Sequence, residues 1–205
     1  MSTDPYRQLI ILFLDIDGVL LPFPCHERSS CGALFPDRTL SALSWLLEES
    51  QKLTATSCSS LESSSFETVI VLSSTWRVQE SFRNQILDSF RAYAYQYGGP
   101  LMEMDDFYDI TDPDIHSERQ HEIAEWLVKN QGFEGESRRS ATTHRIAGWL
   151  ALDDEELLLG DVNRARRHVF EGHVIQPKSN VGLTLKQAER GLELLRKQLE
   201  DASKI

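Results

Sequence analysis

Apolar residues follow two spacings along this chain. Short continuous runs stand at Leu9–Leu14, Thr68–Leu72 and Ile146–Leu152. Runs of that length, aliphatic and partly β-branched, read as strands buried on both faces. Elsewhere apolar positions recur every three or four residues, the helical period. Leu40, Leu43, Leu46 and Leu47 share one face of a helix predicted over 38–49, with Asp37 as its N-cap. Phe82, Ile86 and Phe90 form the core-facing stripe of a second helix, from about Val78 to Tyr93. Ser117-x-x-Gln120 is a capping box opening a third, with Ile123 and Leu127 inward. Thr184-x-x-Gln187 opens a terminal helix striped by Leu185, Ala188, Leu192, Leu195 and Leu199. His173–Ile175 is a fourth, very short strand. Residues 21–36, 98–116 and 130–143 read as connections, the second with room for a short strand. The serine-rich stretch 54–65 (TATSCSSLESSS) reads as a surface insertion.

Buried strands alternating with helices imply an α/β fold: a Rossmann-like parallel sheet with helices on both faces, as one domain over 1–205. The insertion points 21–36 and 98–116 look too short for a separate cap domain. Ligands of such folds gather beyond the carboxyl ends of the strands. The first run is followed by Asp15 and Asp17, the second by Ser73 and Ser74, the third by Asp153 and Asp154. An unpaired carboxylate costs several kcal/mol on burial, so acids placed directly after apolar runs call for a cation or a set of donors. If the three strands are neighbours, four carboxylates and two hydroxyls meet on one edge. An oxygen-only set of this kind suits Mg²⁺. Each residue also has a local use: a strand-end serine hydroxyl bonds nearby backbone, and Asp153 and Asp154, followed by Glu155 and Glu156, are placed to cap a helix.

Length and charge narrow the picture. At 205 residues the chain is long enough for a sizeable core. Its net charge of −11 argues against broad non-specific binding to nucleic acid, though a local basic site remains open. Cys25, Cys31 and Cys58 form no C-x-x-C pair, and the odd count argues for a reducing intracellular, cytoplasmic setting. A Cys25–Cys31 bridge, or a metal site including His26, is the minority reading of that spacing. The apolar N-terminal run stops at Asp15, short of a membrane span. No membrane partner is expected, and the oligomeric state is open.

The ordered set Asp15-Ile16-Asp17-Gly18-Val19, Ser73, Arg119 and Asp153-Asp154 resembles the haloacid dehalogenase (HAD) superfamily of hydrolases. Ser73-Ser74-Thr75-Trp76-Arg77, the R-x-x-E-I-x-x-W-L run from Arg119 to Leu127, and Gly182-Leu183-Thr184 resemble the small HAD-type domains of RNA-repair proteins. The resemblance implies a Mg²⁺-dependent phosphomonoesterase with little or no cap. In it Asp15 is the nucleophile that forms an aspartyl-phosphate, and Asp17 the acid and base. Ser73, Ser74 and Arg119 would hold the phosphoryl oxygens. Mg²⁺ would take Asp15, the backbone carbonyl of Asp17, and one of Asp153 and Asp154, with Asp154 favoured as the direct ligand. Lysine is commoner in the family at the Arg119 position, and a cation at the start of a helix sits against the helix dipole, so Arg77 or Lys178 is an alternative clamp. An uncapped site suits a bulky or polyanionic phosphate ester: a nucleic-acid end, a nucleotide or a phosphoprotein. Arg77 and the cluster Arg164, Arg166, Arg167 are the substrate-binding candidates, the cluster reading equally as a solvated helix face. Trp76 and Trp149 read as core. Two other classes stay open: a catalytically silent phosphate-binding module of the same fold, and a D-x-D metal-dependent transferase.

Overall fold

The computed structural model describes residues 7–25, 27–53, 66–112, 118–131, 144–159 and 164–202. Strand β1 (Arg7–Leu14) is followed by helix α1 (Asp37–Gln51), β2 (Phe66–Leu72), α2 (Glu80–Tyr97), β3 (Asp109–Ile110), α3 (Arg119–Gln131), β4 (His144–Leu152), the short α4 (Arg167–Phe170), β5 (Val174–Ile175) and α5 (Leu185–Ala202). The strands form one parallel sheet in the order β3-β2-β1-β4-β5. The serine-rich stretch 54–65, most of the connection 130–143 and Ser117 of the capping box expected before the third helix lie outside the described residues.

Alternation along β1 sorts the core into two layers. Ile10, Leu12 and Leu14 face α1, α2 and α5, where Leu43, Leu46, Phe90, Leu192 and Leu195 are buried. Leu9, Ile11 and Phe13 face the other way, onto Ile123, Trp126 and Leu127 of α3 and onto Phe170. Both faces being covered is why the run reads as continuous rather than alternating. Each such aliphatic side chain, fully buried, contributes roughly 1.5–3 kcal/mol. The second layer is largely aromatic. Phe13 meets Trp126 edge-on at 5.2 Å and Trp149 at 5.9 Å, and Trp149 meets Phe170 at 5.2 Å.

Three details differ from expectation. Asp37 is the first residue of α1 rather than its N-cap, which is Pro36. Its carboxylate instead accepts from Ser29, Ser30 and the Tyr97 hydroxyl, tying the incoming loop to α2. Leu185, the first position of the α5 stripe, is exposed, because the capping box turns the chain before the helix meets the sheet. The box itself is made: Gln187 N–H donates to Thr184 Oγ1 at 3.3 Å, and Thr184 N–H to Gln187 Oε1 at 3.1 Å. The α2 helix starts at Glu80, after a 3-10 turn over Thr75–Val78. Cys25 and Cys31 are free thiols. Among the described residues, neither the β1–α1 connection nor 98–112 carries a separate folded module. No described helix is long and apolar enough to cross a membrane.

His173 closes the second layer. Its ring stacks on Trp149 at 4.2 Å, and its Nδ1 lies 3.1 Å from the Trp149 carbonyl. Burial holds its pKa below the usual 6.5, only partly offset by that hydrogen bond. A depressed histidine pKa gives stability that is full above the unfolded value and lost as pH falls through the folded one. Below about pH 6.5 the unfolded chain takes a proton that the folded chain resists. His173→Gln should therefore flatten the loss of thermal stability between about pH 7 and pH 5 relative to wild type. Parallel melting curves across that range would contradict this.

Candidate active site

The C-terminal edge of the sheet is held in register one residue past each strand. Thr111 N–H donates to the Leu72 carbonyl at 3.0 Å, Ser73 to Leu14 at 2.9 Å, Asp15 to Leu152 at 3.0 Å and Asp153 to Ile175 at 3.2 Å. Thr111, Ser73, Asp15 and Asp153 thus stand in a row across four neighbouring strands. The chain moves outward from β1 to β2 and β3, then crosses to β4 on the other side. The crevice where that order reverses opens between Asp15 and Asp153, the usual ligand position in such sheets.

Carboxylate oxygens of Asp15, Asp153 and Asp154 all lie within 4.8 Å of one another. Oxygens on opposite sides of a Mg²⁺ ion are about 4.2 Å apart, given bonds near 2.1 Å. The spacing is compatible with one small divalent cation shared by the three acids. Burial pushes the Asp15 carboxyl up to about 6. Arg119, the Ser74 hydroxyl and the Ile16 N–H pull it back, and Asp154 pushes it further up. Burial, then Asp15, raises Asp153 well above the usual carboxylate range, with Arg119 opposing. A divalent cation among the three acids would reverse both shifts.

Asp154 reaches this cluster because Gly18 has no side chain. Gly18 has φ +69°, and a Cβ built there would lie 2.1 Å from Asp154 Oδ2. Gly18→Ala is therefore expected to push the Asp154 carboxylate out of the cluster, besides straining the turn by roughly 1–2 kcal/mol. A divalent cation titrated into the variant should bind at least about tenfold more weakly than in wild type. An unchanged affinity would separate Asp154 from the metal.

Arg119, the first residue of α3, is buried among carboxylates. Its Nη1 donates to Glu122 Oε2 at 2.7 Å, its Nε stands 3.0 Å from Asp153 Oδ2 as an ion pair without hydrogen-bond alignment, and its Nη2 is 3.6 Å from Asp15 Oδ1. Burial works against its charge, but Asp153, Asp15 and Glu122 together hold its pKa above the ordinary range. Three acids thus answer the unfavourable position at a helix start. Ser73 Oγ is fully buried and, among the described residues, has no hydrogen-bond partner. An orphaned buried hydroxyl costs about 1–3 kcal/mol, which a bound oxyanion on this edge would relieve. Ser74 is also buried; its Oγ accepts from Trp76 N–H at 3.4 Å and also bonds Asp15.

Asp17 is exposed, and Trp76 Nε1–H donates to its Oδ2 at 2.9 Å. Trp76 is half-buried against Phe35 and Phe82, so it joins core to site rather than being core alone. Arg77 is buried and turned inward: it pairs with Glu122 Oε1 at 3.0 Å and donates to the Ser74 carbonyl at 2.9 Å. That placement makes it a support for Arg119 through Glu122. Arg164 and Arg167 are exposed and Arg166 is half-exposed; Arg166 precedes α4 and Arg167 opens it, pairing with Glu171 at 2.9 Å. Lys178 is exposed on the loop after β5.

Two residues of this edge escape a reading of the sequence. Glu122 carries both arginines, and its signal was the i,i+3 spacing from Arg119. Thr111, fully buried with a hydroxyl that has no partner among the described residues, follows a strand of only two residues and gives no signal.

A parallel sheet in this strand order, with D-x-D-G after the first strand and paired acids after the fourth, defines a HAD-like α/β fold. The family described as the HAD domain in Swiss Army Knife RNA repair proteins matches residues 11–188, and the chain belongs to it. No curated protein and no solved structure matches the chain. Membership points to a hydrolase-type role, and the acid cluster is where a HAD-type metal would bind.

Proposed function

We propose that the protein is a Mg²⁺-dependent phosphomonoesterase that works through an aspartyl-phosphate on a bulky or polyanionic phosphate ester. One observation carries this reading: acids trailing two separate strands, Asp15 with Asp153 and Asp154, converge within 4.8 Å, beside Arg119.

Asp15 is the nucleophile. Its carboxylate oxygen bonds to phosphorus as the ester oxygen leaves, so one hard displacement becomes two easier ones. Asp17, at the mouth and oriented by Trp76, gives its proton to the leaving oxygen. It then takes a proton from the water that attacks the aspartyl-phosphate, which frees Asp15 and inorganic phosphate. Arg119 and the Ser73 hydroxyl hold phosphoryl oxygens where charge builds, with Ser74 steadying Asp15. Mg²⁺, when bound, neutralises the acid cluster and the phosphoryl group. Asp15, the Asp17 backbone carbonyl and Asp154 would hold it. Asp153 is committed to Arg119 and to the Glu155 N–H, at 2.9 Å from the latter, and so positions rather than ligates.

Phosphate release from p-nitrophenyl phosphate tests this directly. Activity should need Mg²⁺, vanish with chelator and return on adding the metal back. Beryllofluoride should form a stable adduct on Asp15. Absence of both would favour a silent phosphate-binding module, and adduct-free metal dependence with nucleotide sugars would favour a transferase. For a polyanion, Arg166→Ala and Arg167→Ala should slow turnover at low salt, by about tenfold for the pair; unchanged rates would remove that cluster from the substrate path.

A further inference from the structure

A cavity of about 630 Å³ opens beside Asp154, walled by Phe23 on one loop and by Gln176, Lys178 and Asn180 on another. Asp154 belongs to both this cavity and the acid cluster, so the cavity adjoins the site. Phe23 is 78% exposed, yet its backbone is fixed: its N–H donates to the Ser179 carbonyl at 2.8 Å. The opposite loop is fixed as well. Leu183 N–H donates to the Val19 carbonyl at 2.8 Å, Val181 and Gly182 N–H both donate to the Lys178 carbonyl, and Gln176 Nε2 donates to the Asp154 carbonyl at 3.1 Å. A bare aromatic ring is therefore held on a rigid rim, and among the described residues Lys178 pairs with no acid.

A lone exposed aromatic needs no explanation. This one lines a cavity together with the Asp154 carboxylate, a lysine and two amide side chains. A flat π surface accepts any nucleobase face, and a flexible ammonium suits a backbone phosphate. A peptide offers no obligatory aromatic face. The net charge of −11 disfavours a long polyanion track, so recognition confined to one end fits better than groove binding.

We propose that this cavity takes the terminal nucleotide of a single-stranded polynucleotide, its base stacked on Phe23 and the adjoining backbone phosphate on Lys178. The inference rests on the phosphatase reading for the terminal phosphate at Asp15, but its test is binding, not turnover.

The probes are a fluorescein-labelled single-stranded RNA with a terminal phosphate and the same strand with an abasic terminal nucleotide. Anisotropy is read on the full chain carrying Asp15→Asn, alone and combined with Phe23→Ala or Lys178→Ala. Phe23→Ala should weaken the intact strand about 5- to 100-fold and leave the abasic strand unchanged. Lys178→Ala should weaken both strands equally and lower the salt slope by about 0.7. No binding of the intact strand, equal loss on both strands with Phe23→Ala, or tighter and Phe23-dependent binding of a phosphopeptide would overturn the proposal. If base-dependent binding is found but wild type releases no phosphate from p-nitrophenyl phosphate, the hydrolytic reading falls and this one stands. The converse result separates them the other way.

Discussion

Asp15→Asn is expected to abolish phosphate release and leave the fold intact. The substitution keeps the shape of the side chain and removes the oxygen nucleophile. Removing a nucleophile from a hydrolase typically lowers turnover by on the order of 10⁴-fold or more. The fold should not suffer, because burial and Asp154 already work against a charge at this position. Arg119 loses only its longest contact, at 3.6 Å, and keeps Asp153 and Glu122. The melting temperature should therefore stay level or rise. Turnover of p-nitrophenyl phosphate with saturating Mg²⁺, beside a thermal melt, checks both halves. Wild-type-like rates in the variant would take Asp15 out of the chemistry.

Glu122→Ala should damage the protein in a different way. Glu122 is buried between two guanidinium groups, at 2.7 Å from Arg119 and 3.0 Å from Arg77. Arg77 has no other carboxylate within ion-pair distance among the described residues, so the variant leaves it charged and uncompensated. Breaking a buried pair this way costs about 3–5 kcal/mol, or roughly 6–20 °C in melting temperature for a chain of this size. Arg119 would lose the contact that holds it along α3, and turnover should fall at least tenfold in protein that remains folded. Glu122→Gln keeps one oxygen acceptor, enough for one of the two arginines, and sets its amide NH₂ against the other guanidinium, so it should recover only a small part of the loss. A stable, fully active Glu122→Ala protein would show that Arg119 is positioned by Asp153 and Asp15 alone.

Central elements were legible from the chain, and peripheral ones only partly. β1, β2 and β4 each carry a continuous apolar stretch because helices cover both faces, and their limits fell within a few residues of the expected runs. β5 matches the short strand expected at His173–Ile175, whereas β3 was legible only as room for a strand within 98–116; with two residues each, neither is long enough for periodicity to fix its limits. The α1 and α5 stripes were visible, but Leu185 lies on the apolar phase of α5 and faces solvent, since phase cannot tell where a helix leaves the sheet. Trp76 was legible as a packed aromatic, whereas its indole N–H on Asp17 depends on a 3-10 turn that no local signal announces. Arg77 had the charge of a substrate ligand, and only its burial shows that it serves Glu122.

By itself, the sequence determined which residues end the buried strands, because apolar runs must stop where the sheet does and the acids mark those stops. It determined the glycine after Asp17 as well. Tertiary structure decided which strands are neighbours, and so which carboxylates share one crevice. It also decided that Gly18 makes room for Asp154, and that Glu122 joins two arginines. The physical reason is range: burial and turn chemistry act over a few residues, whereas the pairing of β1 with β4 joins residues far apart in the chain and is settled by the packing of both core layers at once.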